Sequence, residues 1–294
     1  MDNDNFNNKT GALYIVATPI GNRDDITIRA LKTLGQVDLI AAEDTRRTGK
    51  LLAHHRIKGH LLSYHEHNEN ERTPDLVHKL KAGLSIALVT DAGTPSVSDP
   101  GYRLVNAAVT NDIKVIPIPG VSAVITALSA AGMPTDAYVF VGFSAKKKSR
   151  RLKQLQALAG ESRTIVFFES PKRILTFLGE IKNIMGNRYG VLCREMTKIH
   201  EEFIRGSISE ILTELNTRAA VKGECTLLLA GCGNKGETPI AVVRGEIKKA
   251  LQNKKGALSE IAKAVAKKYD LPKNRVYNEA LKLKREAHGT TRKV

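Results

Sequence analysis

The chain has 294 residues, 42% of them hydrophobic, and carries 46 Lys/Arg against 30 Asp/Glu for a net charge of +16. That length allows two domains and a small appendage, and no apolar run reaches the ~18 residues needed to span a bilayer. The polar, Asn-rich start lacks a signal-peptide core and reads as a disordered lead-in over residues 1–10. The three cysteines, Cys193, Cys225 and Cys232, form no CxxC pair. They suit reduced thiols of a cytoplasmic protein better than a disulfide framework.

The positive charge is unevenly placed. Residues 244–294 hold fifteen Lys/Arg against five acids, a net of +10, and the segment FSAKKKSRRLK from Phe143 to Lys153 adds six with no acid. The rest of the chain is close to neutral. Two basic patches on a neutral body point to a polyanionic partner. Tryptophan is absent and aromatics make 5% of the chain, so a base-stacking platform is not supported.

In chain order, LYIVA at Leu13–Ala17 reads as a first strand and Thr27 as the start of a helix through Ala30 and Leu34. Val37–Ala41 gives a second strand, and Leu51 and Leu52 a helix before Gly59. A short apolar segment at Leu61-Leu62 follows, then a helix from about Thr73 to Ala82 with Thr73 as its cap. Ile86–Val89 is a strand buried on both faces, running into Thr90-Asp91-Ala92-Gly93-Thr94-Pro95, and Lys114–Ile118 is another strand. The alternation is α/β with a mainly parallel sheet.

The character changes after Met133-Pro134. Strands are expected at Tyr138–Phe143, Thr164–Phe168, Gly190–Cys193 and Cys225–Ala230, with a helix over Ile208–Leu215 and more antiparallel pairing. A flexible stretch from Gly231 to Pro239 precedes the tail. There, Leu258, Ile261, Ala262 and Val265 share one helix face. Leu271-Pro272-Lys273-Asn274 makes a turn, and Val276, Ala280 and Leu283 mark a second helix. The expectation is a basic, helix-turn-helix-like unit that contacts nucleic acid.

The chemistry collects on strand-ending loops: Thr18–Asn22, Glu43–Arg46, Thr90–Pro95, Pro119–Ala123 and Glu169–Arg173. None matches GxGxxG, and GxxxxGK[ST], GxSxG and HExxH are absent. His65-Glu66-His67 holds ligand-type side chains without a third ligand cluster, so no metal is expected.

Taken in order, LYIVATPIGN, DLIAAEDTR, VTDAGTPSVSDPG, PGVSA, FFESPKR, REMTK and KGE resemble the tetrapyrrole methylase family. Within it they are most similar to the branch that modifies ribosomal RNA. The resemblance covers about residues 11–235, and the basic tail resembles that branch's C-terminal extension. Pro119-Gly120-Val121-Ser122 departs from the family's frequent Pro-Gly-Pro. The resemblance implies two α/β domains, 11–134 and 135–235, with an interdomain cleft, and a small basic helical RNA-binding extension over 240–294. It implies S-adenosylmethionine as methyl donor, held in that cleft. By motif position Ile20, Asp91, Ala92, Gly93, Thr94, Ser122, Ala123, Phe168, Cys225 and Thr226 would contact the donor. It further implies a cytoplasmic homodimer that methylates the ribose 2′-oxygen of a cytidine in 16S ribosomal RNA of the small subunit.

Transfer to an alcohol is an in-line displacement, helped by a base or by a cation near the developing alkoxide. Candidates at strand ends are Asp44 and Arg46, His65 and Asn68, Glu169 and Lys172, Arg194 and Glu195, and Glu224. Asp44 or His65 is the expected catalytic base. Glu43, Arg46, Asn68, Lys146, Lys147, Lys148, Arg150, Arg151, Glu169 and Lys172 are expected to bind substrate. The competing readings are a small-molecule methylase of the tetrapyrrole type, which gives no reason for +16, and a non-catalytic RNA-binding assembly factor.

Overall fold

The computed structural model describes residues 11–232, 240–252, 257–269, 271 and 273–289. The expected lead-in 1–10, residues 233–239 of the expected flexible stretch, and Pro272 of the expected turn lie outside these. Contacts group the chain into two compact units, residues 1–127 with 194–202, and residues 128–193 with 203–294.

The first unit alternates strand and helix throughout: β1 (Ala12–Val16), α1 (Ile28–Gln36), β2 (Leu39–Ala42), α2 (Thr45–His54), β3 (Leu61–Ser63), α3 (Glu69–Lys81), β4 (Ile86–Val89), α4 (Tyr102–Thr110), β5 (Lys114–Ile118) and α5 (Ala123–Ala131), whose last residues belong to the second unit. The strands form one sheet in the order β3-β2-β4-β1-β5, parallel at every pairing. Side chains alternate across it as a pleated sheet requires. Ala87 and Val89 join Ala30 and Leu34 of α1 and Leu52 of α2 in one core. Ile86 and Leu88 join Leu76 and Leu80 of α3 and Leu104 and Ala108 of α4 in the other. All four residues of β4 are buried, which accounts for its unbroken apolar run.

Helix starts follow local chemistry. The Thr27 side chain accepts from the Ala30 N–H at 3.1 Å and caps α1, a contact of the kind worth about 1 kcal/mol. The expected Thr73 cap is corrected: α3 begins at Glu69, and Pro74 lies inside it. The Asn68 side chain accepts from the His65 N–H at 2.8 Å and donates to Ser63 O at 3.2 Å, closing the turn that launches the helix earlier. Thr73 Oγ1 instead donates to Glu69 O and bonds the buried Tyr64 hydroxyl.

The second unit holds β6 (Tyr138–Phe143), α6 (Lys148–Ala157), β7 (Thr164–Glu169), α7 (Ile174–Met185), β8 (Tyr189–Arg194), β9 (Glu202–Ser207), α8 (Ile208–Asn216) and β10 (Cys225–Leu229). Its sheet order is β6-β7-β10-β8-β9. β7 pairs parallel with β6 and antiparallel with β10. Leu155, Phe167, Phe177, Leu178, Ile211 and Leu227 belong to its core, so α6, α7 and α8 all pack on this sheet. β9 runs through Gly206.

The tail forms three helices rather than two: α9 (Ile240–Gln252), α10 (Leu258–Tyr269) and α11 (Lys273–Gly289). They share a core of their own, including Val243, Ile247, Ile261, Val265, Val276 and Leu283. Lys268 bonds Glu210 at the start of α8 (2.8 Å) and Glu246 of α9 (3.0 Å). Among the described residues no helix is long and apolar enough to cross a membrane.

One glycine is required by shape. Gly101 has φ +133, and a Cβ there would lie 2.7 Å from both Leu88 Cδ2 and Ser96 Oγ. Gly101→Ala is expected to lose about 2–4 kcal/mol from combined strain and overpacking. A urea midpoint equal to that of the parent protein would contradict this reading of the turn.

Candidate functional site

Three strand ends converge in the first unit. Thr18, beyond β1, and Gly93, beyond β4, exchange two backbone hydrogen bonds of 2.9 Å. Gly93 sits at φ +82, and a Cβ there would meet Ile20 at an ordinary 3.7 Å, so it is the backbone turn that favours glycine. Thr94 Oγ1 donates to Val121 O at 3.3 Å, tying this loop to the segment that enters α5. Ile20, Asp91–Thr94, Ser122 and Ala123 are therefore held in one neighbourhood by backbone contacts.

The electrostatics of that neighbourhood are acidic. The Glu43 carboxylate accepts from the Asp91 N–H at 3.1 Å, and Arg47 pairs with Asp91 at 3.1 Å. Burial pushes the Asp91 carboxyl up, partly countered by Arg47. A third acid, Asp99, is pushed up to about 7 by burial and by the charges of Glu43 and Asp91. Asp91 Oδ1 and Thr90 Oγ1 are buried without hydrogen-bond partners among the described residues. Orphaned acceptors beside close-approach backbone suit a ligand carrying hydroxyls and positive charge, as a sulfonium donor with an ammonium group does. Asp99 also lines a cavity of about 500 Å³ with Glu66, Glu69, Ser96, Tyr102 and Arg103.

The expected site residues divide sharply. Asp44 caps α2 and is gripped by Arg46, whose backbone and side chain both donate to it. Those hydrogen bonds hold its carboxyl far below the usual range. Arg46 is engaged with Asp44, and its neighbour Arg47 is the one that reaches Asp91. Asn68 closes a turn, with both ends of its amide engaged. His65 Nδ1 is buried without a partner among the described residues, and its ring meets that of His67 edge-on at 6.0 Å. Among the described residues no group of three His, Cys, Asp or Glu is arranged to hold a metal.

In the second unit, Thr226 pairs with Phe168 and Cys225 with Glu169 across β10 and β7. Phe168 is half-buried between the rings of Phe140 and Phe143, at 5.0 and 5.5 Å. This gives an apolar patch fitted to a flat ring. Lys146, Lys147, Lys148, Arg150 and Lys172 are exposed. Arg151 and Glu169, expected among the substrate contacts, are buried and ion-paired: Arg151 bonds Glu180, and Glu169 pairs with Arg173 at 2.6 Å. Arg47, Asp99, Glu180 and Arg173 were not singled out from sequence. Each acts through a residue remote in the chain or one helical turn away, so no local pattern marks it.

A parallel sheet whose strand ends gather acceptors, with a second, mixed sheet, makes this a two-sheet α/β protein. A family model described as Tetrapyrrole (Corrin/Porphyrin) Methylases matches residues 12–212. The chain belongs to that family. It is 45% identical over 286 residues to a protein of Vibrio cholerae named "Ribosomal RNA small subunit methyltransferase I", covering 95% of this chain and 98% of the relative. A protein of the same name from Synechocystis is 44% identical over 282 residues, covering 95% and 100%. Among solved structures, uroporphyrin-III C-methyltransferase from Thermus thermophilus, complexed with S-adenosyl homocysteine, superposes with a TM-score of 0.54 at 16% identity, covering 75% of this chain and 97% of that one.

Asp99 makes a pH prediction. Its ordinary value is 3.8 and its folded value about 7. Between those values the unfolded chain releases a proton that the folded chain keeps. Its contribution to stability therefore falls as pH rises through that window. Asp99→Asn is expected to gain more in urea midpoint over the parent at pH 8 than at pH 5, and a gain that does not grow with pH would refute the assignment.

Proposed function

We propose that this protein transfers a methyl group from S-adenosylmethionine to the ribose 2′-oxygen of a cytidine in 16S ribosomal RNA of the small subunit. The observation that carries this reading is the extent of likeness to the ribosomal RNA methyltransferases. The family model stops at residue 212, whereas those relatives match 95% of the chain. The likeness therefore extends into the basic tail. The +16 charge agrees, since a small-molecule substrate gives no reason for basic patches.

The bound donor supplies an electrophilic methyl carbon. The chain's part is to bind, orient and manage protons. Asp91, with its orphaned Oδ1, and Thr90 accept from donor hydroxyl or amino groups. The acidic set Glu43, Asp91 and Asp99 favours the donor's positive charge over the neutral product left after transfer. Ile20, Ala92, Gly93, Thr94, Ser122 and Ala123 shape the first unit's share of the donor site. Phe168, Cys225 and Thr226 provide an apolar wall for the adenine. His65 keeps an unpartnered ring nitrogen and is our candidate for the proton acceptor, with Glu43 and Arg47 nearest the acceptor strand. Lys146, Lys147, Lys148, Arg150, Lys172 and the tail meet RNA phosphates. The protein works in the cytoplasm as a homodimer, which doubles the basic surface offered to one particle.

The test is a map of ribose methylation in a strain lacking the gene. One alkali-resistant cytidine of 16S RNA is expected to disappear and to return with the wild-type gene but not with Asp91→Ala. An unchanged map would refute the proposed reaction. Removing residues 240–294 is expected to weaken RNA binding and flatten its salt dependence while leaving donor affinity nearly unchanged. Calorimetry of the truncated protein showing an equal loss of donor affinity would instead assign the tail to the donor site.

A further inference from the structure

Two ion pairs, both inside the second unit, converge on the short loop that joins β6 to α6. Arg151 Nε and Nη2 donate to the two oxygens of Glu180 at 2.6 and 2.8 Å, and both side chains are 9% exposed. Arg151 Nη1 then donates to Ala145 O at 3.0 Å and to Lys146 O at 3.1 Å. Arg173 Nη2 pairs with Glu169 at 2.6 Å and donates to Ser144 O at 3.4 Å. Glu169 is fully buried and also accepts from Ser144 Oγ. On the other side of the loop, the Ala145 N–H donates to Gln154 Oε1 at 3.3 Å. Three consecutive carbonyls, of Ser144, Ala145 and Lys146, are thus held by guanidinium groups from below.

The outer side of the same loop is Lys146, Lys147 and Lys148, all exposed, followed by exposed Arg150. Glu169 and Glu180 balance the charges of Arg173 and Arg151, so the cations left for a partner are the outward ones. Lysine is a flexible point charge, and ordering it on binding costs roughly two- to tenfold in affinity per side chain, with loop ordering added. A loop already fixed by its carbonyls avoids the backbone part of that cost. Only arginine has the five-donor fork needed to hold a carboxylate and two carbonyls at once.

We propose that Arg151–Glu180 and Arg173–Glu169 are positioning pairs that preform the Ser144–Lys148 loop as a cradle for the phosphates of an RNA strand. The inference rests on the RNA-directed reading above and deepens it. Neither arginine touches the RNA, and both act through the three lysines.

A double-mutant cycle on the full-length protein tests this, with small-subunit particles from a deletion strain as the probe. The variants are Arg151→Lys, the triple change of Lys146, Lys147 and Lys148 to Ser, and the two combined. Arg151→Lys is expected to weaken particle binding roughly tenfold, since ordering penalties of this size correspond to about a factor of ten. The triple variant is expected to lower the salt slope by about 2, as two or three phosphate contacts are lost. Once the lysines are gone, Arg151→Lys costs no more than about a further factor of two, because coupled residues are not additive. Donor affinity stays unchanged in all three, and kcat at saturating particle stays unchanged in Arg151→Lys. Fully additive losses, unchanged particle affinity in Arg151→Lys, or a matching fall in donor affinity would each overturn the proposal. Should Arg151→Lys fail to fold, Arg173→Lys takes its place with the same outcomes, its guanidinium being 29% exposed and less enclosed. The methylation map separates the two readings. A map without the ribose change refutes the reaction whatever the cycle gives, and the mapped ribose with an additive cycle refutes only the positioning role.

Discussion

The first unit depends on the burial of β4. Its four residues are enclosed on both faces, and its neighbours on either side are β2 and β1. A parallel strand in that position must send its carboxyl end out at the middle of the sheet, beside the carboxyl ends of both neighbours. Hence Glu43, from the end of β2, meets the Asp91 N–H, and Thr18, from the end of β1, meets Gly93. The convergence is a consequence of strand order, not of any affinity among the loops. Once it exists, the loop backbone needs somewhere to go, and Gly93 and Gly101, both at positive φ, provide the turns that a side chain would block.

The same convergence creates an electrostatic problem. Burial raises the cost of ionising Asp91 and Asp99, and the charges of Glu43 and Asp91 add to it at Asp99. Arg47 offsets part of it at Asp91 only. An acidic cluster raised in this way is poorly matched to a phosphate and well matched to a cationic ligand. Exposed lysines are found on other segments, the loop before α6 and the helical tail.

Much of this was legible in the sequence, for reasons that can be named. The period of β4, the Thr27 cap and the small-residue loop at Asp91–Thr94 are local signals, and the structure has them at the expected residues. The ordered series of strand-end segments marked the family. The failures are equally physical. Thr73 followed by Pro74 looks like a helix start, but the turn closed by Asn68 starts α3 at Glu69 and leaves Pro74 inside it. Asp44 looks like a free acid until Arg46, two residues on, is seen to fold back on it. Arg151 sits in a run of six basic residues and shares their composition, yet the helix turns it inward to Glu180, 29 positions away. A charge run shows how many cations there are, and only the fold shows which of them face water.

Arg151 and Glu169 carry a more general point. A buried ion pair is weak evidence for stability, because desolvation offsets most of the Coulombic gain and apolar residues of similar volume often serve as well. By that measure the base of the β6–α6 loop is an unfavourable place for two such pairs. An apolar replacement, however, has nothing to donate to the carbonyls of Ser144, Ala145 and Lys146, and an enclosed acceptor that loses its partner costs about 1–3 kcal/mol. The alternatives are a loop that swings out to hydrate its carbonyls or a base that donates to them. The chain has the second, and the arginines that donate need carboxylates to neutralise them, which Glu169 and Glu180 supply. The four charges, three of them buried and Arg173 29% exposed, therefore serve one end, holding the lysine-bearing loop in one shape.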